Sequence, residues 1–335
     1  MAKYHKKKVL VTGSGGFIGS HLTERLVDEG YSVSAFVRYN SRGDLGMLRH
    51  VPEDKIKKLD IIFSDLRDYD AVEKAVKDAD VVFHLGALIA IPYSYLYPRE
   101  VVETNIMGTL NVLMACRKNK KLKMMVHTST SEVYGTALYV PIDEKHPLQA
   151  QSPYSASKIG ADKMAESFFD SYGLPIATIR PFNTYGPRQS LRAVIPTIIS
   201  QALIKNRIEL GSLTTLRDFT YIQDTVDAFV KMLRSEKCIG KTINIGSNQY
   251  ISVKDLVGKI SEIIGEEIKI IQNKERIRPK LSEVQALKAD NAMAKKLIGW
   301  EPRINLDDGL KLTIDWFKDN IEEIRKNQRI EGYVI

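Results

Sequence analysis

Residues 8–19 read KVLVTGSGGFIG, and this stretch decides the fold. A short β-prone run, Lys8 to Thr12, enters three glycines spaced Gly13-x-x-Gly16-x-x-Gly19, and the amphipathic stretch 17–29 (FIGSHLTERLVDE) continues to Gly30. The pattern predicts a strand, a tight turn and a helix. In that order the positive end of the helix meets the carboxyl end of the strand, where backbone amides can receive a pyrophosphate. A glycine run alone can be only a tight turn. Because strand and helix flank it here, Gly13, Gly16, Phe17, Ile18 and Gly19 are expected to hold a dinucleotide.

Outward from this point the theme repeats. SVSAFV at 32–37 and DIIF at 60–63 precede a helix near 68–78; VVFHLGA at 81–87 precedes one near 100–119. MMVHTS at 124–129 precedes a helix near 154–172, and IATIRP follows at 176–181. Strands that are continuously apolar and alternate with helices predict an α/β, doubly wound parallel sheet covered on both faces. After Pro181 come helices near 193–206 and 224–235, and then TINIGS at 242–247, which reads as a buried strand returning to the sheet. A helix near 252–265, a strand at 267–272, an irregular RIRPKLSEV loop and helices near 290–298 and 306–328 complete the chain. The expected organisation is a dinucleotide-binding domain over 1–181 with a returning segment near 218–247, and a smaller interleaved cap from 182–217 and 248–335.

The chain has 335 residues, 44% hydrophobic and 27% charged, an ordinary globular composition. Its two cysteines, Cys116 and Cys238, fit neither a disulfide framework nor a cysteine metal site, and the expectation is a reducing cytosol. No signal-like or membrane-length apolar run is present, so a cytoplasmic protein without membrane or metal is expected. The 49 Lys+Arg exceed the 41 Asp+Glu by 8, which favours anionic partners. Lysine-rich runs at 6–8, 55–58 and 118–123 lie among acids and without interleaved aromatics, and read as solvated faces; nucleic acid is not expected.

An acid roughly 20 residues past a glycine turn would bind the ribose 2′-hydroxyl of NAD. Here the second strand ends in Arg38-Tyr39-Asn40-Ser41-Arg42 instead. Guanidinium groups at Arg38 and Arg42 can pair with a 2′-phosphate, so NADP(H) is favoured over NAD(H), with a plain surface arginine as the alternative. Asp65 and Leu66 after the third strand are placed to reach the adenine, or Asp65 to cap a helix.

Tyr154-Ser155-Ala156-Ser157-Lys158 stacks a phenol and an ammonium on one helix face. A nearby cation stabilises phenolate and lowers a tyrosine pKa from about 10 toward that of a general base. Thr128-Ser129-Thr130-Ser131-Glu132-Val133-Tyr134-Gly135 ends the fifth strand, at the sheet edge where ligands bind.

These motifs, with Asn105-Ile106-Met107-Gly108-Thr109 and FNTYGPR at 182–188, resemble the extended short-chain dehydrogenases/reductases that act on nucleotide sugars. The resemblance runs from about residue 8 to about 315 and implies a Rossmann-like sheet with a C-terminal substrate domain. HLGALIAIPYSY, HTSTSEVYGTA, SPYSASKIGADKMAES and RPFNTYGPRQS are most similar to the nucleotide-diphosphate N-acetylglucosamine 4,6-dehydratases of the legionaminic acid type.

That resemblance implies that Tyr154 takes the proton of the sugar C4 hydroxyl while the C4 hydride passes to the nicotinamide. Lys158 would hold Tyr154 and the nicotinamide ribose, and Thr130 the reacting oxygen. Glu132 would remove the C5 proton before water leaves C6 and the hydride returns there. Many dehydratases carry Thr-Asp-Glu, with the aspartic acid protonating the leaving hydroxyl; this chain has Thr130-Ser131-Glu132. A serine is too weak an acid for that step. Glu132 is therefore expected to serve both proton transfers, with Ser131 orienting the C6 oxygen. Thr-Ser-Glu also occurs in UDP-glucuronate decarboxylases, which rank second, followed by 4-epimerases, which need no base at Glu132. A non-catalytic NADP-binding regulator is the alternative of another class, although such proteins lose Tyr or Lys.

Asn183 can offer an amide, and Arg217 and Arg278 can clamp diphosphate oxygens, as similar family positions do. Arg188 belongs to the same loop as Asn183, either on the substrate or as a surface or core-edge residue. The loop from Ala87 to Ser94 would cover the nicotinamide and sugar, with Ser94 on the substrate. His84 and His127 read as core histidines. The helices near 100–119 and 154–172 resemble those that pair in family homodimers, although burial under the second domain would give the same pattern.

Overall fold

The computed structural model describes residues 7–205 and 207–330. In its first half, strands β1 (Lys8–Thr12), β2 (Ser32–Arg38), β3 (Asp60–Ser64), β4 (Val81–His84), β5 (Met124–Thr128) and β6 (Ile176–Pro181) alternate with helices. These are α1 (Phe17–Asp28), α2 (Glu53–Ile56), α3 (Tyr69–Val76), α4 (Ile91–Leu96), α5 (Pro98–Val102), α6 (Gly108–Lys118) and α7 (Pro153–Tyr172). The second half holds β7 (Asn183–Tyr185), α8 (Val194–Lys205), β8 (Arg207–Leu210), β9 (Leu216–Arg217), β10 (Phe219–Tyr221), α9 (Ile222–Leu233) and β11 (Thr242–Ile245). It closes with β12 (Ile251–Ser252), α10 (Val253–Ile264), β13 (Lys269–Gln272), α11 (Ala292–Ile298), α12 (Leu306–Asp319) and α13 (Ile321–Ile330).

Seven strands form one sheet in the order β11-β6-β5-β4-β1-β2-β3, and every neighbouring pair is parallel. Their apolar character follows from cover on both faces: all residues of β4 and β6 are buried. The strand order reverses between β1 and β4, which opens a crevice at their carboxyl ends. As read from TINIGS, β11 returns to the sheet, with Thr242 opposite Thr178 of β6. Three two-stranded pairs, β10 with β7, β12 with β9 and β13 with β8, lie beyond the main sheet. Among the described residues no helix is long and apolar enough to cross a membrane, and Cys116 and Cys238 are both buried free thiols.

Three local expectations need correction. The stretch read as a helix near 100–119 is α5, a π-helical turn over Glu103–Met107, and α6; the turn lets the buried Asn105 reach back to the β4 loop. Pro92 and Pro98 sit in the first turns of α4 and α5, where a missing amide hydrogen costs nothing, so part of the presumed loop is helical. The expected single helix at 306–328 breaks at Asn320, whose side chain bonds the Trp316 carbonyl. Residues 1–6 and 331–335 of the expected domains lie outside the described residues.

Candidate active site

The glycine turn is locked by its own backbone. Gly13 has φ +74°, its amide donates to the Phe36 carbonyl at 3.1 Å, and Gly16 donates to the Gly13 carbonyl at 2.9 Å. A Cβ on Gly13 would stand 2.8 Å from the Gly86 nitrogen, and one on Gly19 only 2.1 Å from the Gly13 oxygen. Gly16 caps α1 with no side-chain acceptor, which leaves the first helix amides to a ligand. The turn thus fits a dinucleotide pyrophosphate.

It opens into a cavity of about 1130 Å³, lined also by Phe17, Ile18, Arg38, Asp65 and Leu66 on the cofactor side. The Arg38 guanidinium lies 3.5 Å from Glu100 of α5. Arg42 lies on the exposed loop outside this lining, where Asn40 holds the backbone amides of residues 42 and 44. Asp65 does not cap a helix; Asp68 does so for α3. Asp65 is gripped by Arg67 at 2.7 and 3.0 Å, and those hydrogen bonds lower its pKa.

Tyr154 and Lys158 sit in the first turns of α7. Ser152 and Ser155 form a capping box, Pro153 occupies the first turn, and Gly173 ends the helix in the left-handed region. The phenol of Tyr154 faces the cavity together with Thr130 and Glu132. Thr130 caps the short 3-10 turn Ser131–Tyr134, its hydroxyl accepting the Glu132 amide at 3.3 Å. Lys158 lies beneath the floor, its ammonium donating to the Thr128 carbonyl at 2.7 Å.

Burial dominates the electrostatics here. It pushes the Tyr154 phenol well above its usual value, against a hydrogen bond with Thr130, while the charges of Glu132 and Asp162 add to the rise. The expectation of a phenol lowered by Lys158 is therefore not met, because burial outweighs the hydrogen bond from Thr130. Burial also pulls Lys158 down to about 8, opposed by the negative charge of Asp162.

Asn183, Arg217 and Arg278 also line the cavity. The Asn183 amide nitrogen and one Arg278 Nη are buried without a hydrogen bond. Glu283 lies 3.3 Å from Arg217 and 3.7 Å from Arg278, a pairing the sequence reading missed. The only hint was that a buried arginine such as Arg217 requires a counter-charge.

Three further expectations are corrected by placement. Ser131 is buried and not part of the lining, because residues 130 and 132 face the cavity and the one between them turns inward. Ser94 is fully buried, its hydroxyl donating to the Ile91 carbonyl at 2.7 Å within α4. Arg188, at φ +66°, turns away from the cavity and pairs with Glu24 of α1 at 2.7 Å. His84 bridges Thr12 and Thr109, and His127 bonds Asp162. No cluster among the described residues could hold a metal ion.

A parallel sheet with a glycine turn, and a phenol and a carboxylate in one cleft with a lysine beneath it, is the arrangement expected of an enzyme that works beside a bound dinucleotide. The profile of the family described as GDP-mannose 4,6 dehydratase matches residues 10–313. The chain belongs to the extended short-chain dehydrogenase/reductase family of NAD-dependent epimerases and dehydratases. It is 33% identical to a putative UDP-glucose 4-epimerase of Methanocaldococcus jannaschii, over 93% of this chain and 99% of that one. It is also 33% identical to a UDP-N-acetyl-alpha-D-glucosaminuronate decarboxylase of Bacillus cytotoxicus, over 94% and 98%. The solved UDP-glucuronic acid 4-epimerase of Bacillus cereus, in complex with UDP-glucuronic acid and NAD, superposes with a TM-score of 0.85 at 30% identity, covering 93% and 99%.

Proposed function

We propose that this protein is a nucleotide-sugar 4,6-dehydratase acting on UDP- or GDP-linked N-acetylglucosamine. The observation that carries the reading is Glu132: its carboxylate shares the cavity with the Tyr154 phenol, where a 4-epimerase has no need of a base. The nicotinamide, when bound, supplies hydride acceptance at C4 and its return at C6. Tyr154 takes the C4 hydroxyl proton once the positive charge of a bound oxidised nicotinamide offsets the burial that raises its phenol, and Thr130 hydrogen-bonds that oxygen. Glu132 removes the C5 proton, made acidic by the 4-ketone, and passes a proton to the C6 oxygen as it leaves as water. C5 then regains a proton from solvent as the hydride arrives at C6, Tyr154 returns its proton to solvent, and the 4-keto-6-deoxy sugar is released. Because Ser131 is buried, Glu132 carries both transfers without it. Asn183, Arg217 and Arg278 offer donors to the nucleotide diphosphate. Incubation with UDP-GlcNAc and GDP-GlcNAc should give the ultraviolet absorbance of a 4-keto product. Carbon dioxide release from a nucleotide-linked uronate, with no reaction of the N-acetylglucosamine substrates, would replace this reading by decarboxylation.

The cofactor we infer is NADP(H). Arg38 lines the cavity at the end of β2, where no carboxylate of that strand is present to meet a ribose 2′-hydroxyl. The similar Bacillus cereus enzyme holds NAD, so this chain would differ in preference. Arg38→Ala should weaken NADP binding by about tenfold in fluorescence titrations, the order expected for one charge-assisted pair, and change NAD binding little. Tighter binding of NAD by the unaltered protein would refute the preference.

We further propose a homodimer through α5, the π-helical turn after it, α6 and α7, where Val102, Met107, Met114 and Tyr172 are exposed. Sedimentation should give a dimer that Met107→Asp dissociates; a monomeric parent protein would dispose of the idea.

A further inference from the structure

Asp162 lies one helical turn past Lys158 on α7 and is buried. Its carboxylate accepts hydrogen bonds from His127 Nε2 at 2.9 Å and Ser129 Oγ at 2.6 Å, and from Arg180 of β6 at 2.9 and 3.3 Å. His127 and Ser129 are the two neighbours of Thr128, whose carbonyl receives the Lys158 ammonium at 2.7 Å. One carboxylate therefore grips the end of β5 on both sides of the atom on which the lysine rests. Arg180 is held in turn, its Nη1 donating to the Tyr134 hydroxyl at 2.9 Å and its guanidinium lying over the Tyr134 ring.

We propose that Asp162 is the positioning residue of Lys158: it fixes the Thr128 carbonyl that docks the ammonium and supplies the negative charge that offsets it inside the protein. The other groups facing this lysine cannot serve. From β4, His84 is held neutral by burial, and from β5 so is His127. Arg180 from β6 is a cation, Tyr154 on α7 is a phenol, and the charge of Glu132, in the cavity lining, bears on Tyr154 and not on this lysine. Burial alone would raise the Asp162 carboxyl, but the His127 hydrogen bond and the surrounding charges outweigh it and hold it at about 2. With His127 neutral, Arg180 is the cation chiefly responsible.

The test needs no turnover, so it stands apart from the function proposed above, on which only the catalytic meaning of Lys158 rests. The difference in unfolding midpoint between the parent protein and Lys158→Met is followed against pH. Because burial lowers the lysine in the folded state, the folded chain sheds that proton first. Stability of the lysine-bearing protein then rises relative to Lys158→Met as pH passes about 8. Against the matching double variant, Asp162→Asn should move this inflection about one pH unit lower, as expected for loss of an adjacent opposite charge. Asp162→Glu should leave it in place, and Arg180→Met should move it upward. A merely structural Asp162 would lower the midpoint at all pH values without moving the inflection, and that result would overturn the proposal. If Asp162→Asn does not fold, it is combined with Arg180→Met, which leaves no unpaired buried cation, and an inflection no lower than that of Arg180→Met alone does the same.

Discussion

Replacing Tyr154 by phenylalanine is expected to lower kcat by roughly a thousandfold, the usual scale for loss of a positioned proton acceptor. The side chain is buried at the N-terminal end of a well-capped helix, so the ring keeps its packing and only the hydroxyl is lost. The glycine turn lies elsewhere in the cavity and is held by backbone contacts, so cofactor affinity should stay within a few-fold. A split between intact cofactor binding and lost turnover would separate a chemical from a structural role. Retention of more than a tenth of the parent kcat would rule out Tyr154 as the base.

Glu132→Gln should act later in the reaction. In the proposed reaction, oxidation at C4 uses Tyr154 and Thr130 but not this carboxylate. The variant should therefore form reduced cofactor on mixing with substrate, seen as near-ultraviolet absorbance, and then stall before losing water. The steady-state rate should fall by about 10³. Ser131→Ala removes a hydroxyl buried outside the cavity and should change the rate no more than a few-fold. If the glutamine variant dehydrated normally and the alanine variant did not, the division of labour would have to be reversed.

The parts of this molecule legible in its sequence are those coded by neighbours in the chain. Val9 to Val11 and Ile176 to Ile179 announce buried strands because both faces are covered, and Gly13, Gly16 and Gly19 announce the turn because backbone stands where a Cβ would go. Misplaced residues fail for equally local reasons. Ser131 sits between two cavity-facing residues and turns the other way, while the left-handed backbone at Arg188 swings its side chain onto α1. The missed ones, Glu283 beside Arg217 and Asp162 beneath His127, depend on partners 66 and 35 positions away. No periodicity reports a charge pair that only the folded chain assembles.

The return of β11 to the sheet has a consequence for how the protein is made. On the ribosome, β6 emerges about 60 residues before the strand that will cover its outer edge. Until Ile245 is available, β6 presents an open row of backbone donors and acceptors, a template for wrong pairing. Cutting the gene after Pro181 would make that transient edge permanent, so the nucleotide-binding half is unsuited to expression as an isolated fragment. The intervening segment must collapse in time for the last strand to dock, which links the yield of folded protein to a stretch far from its chemistry.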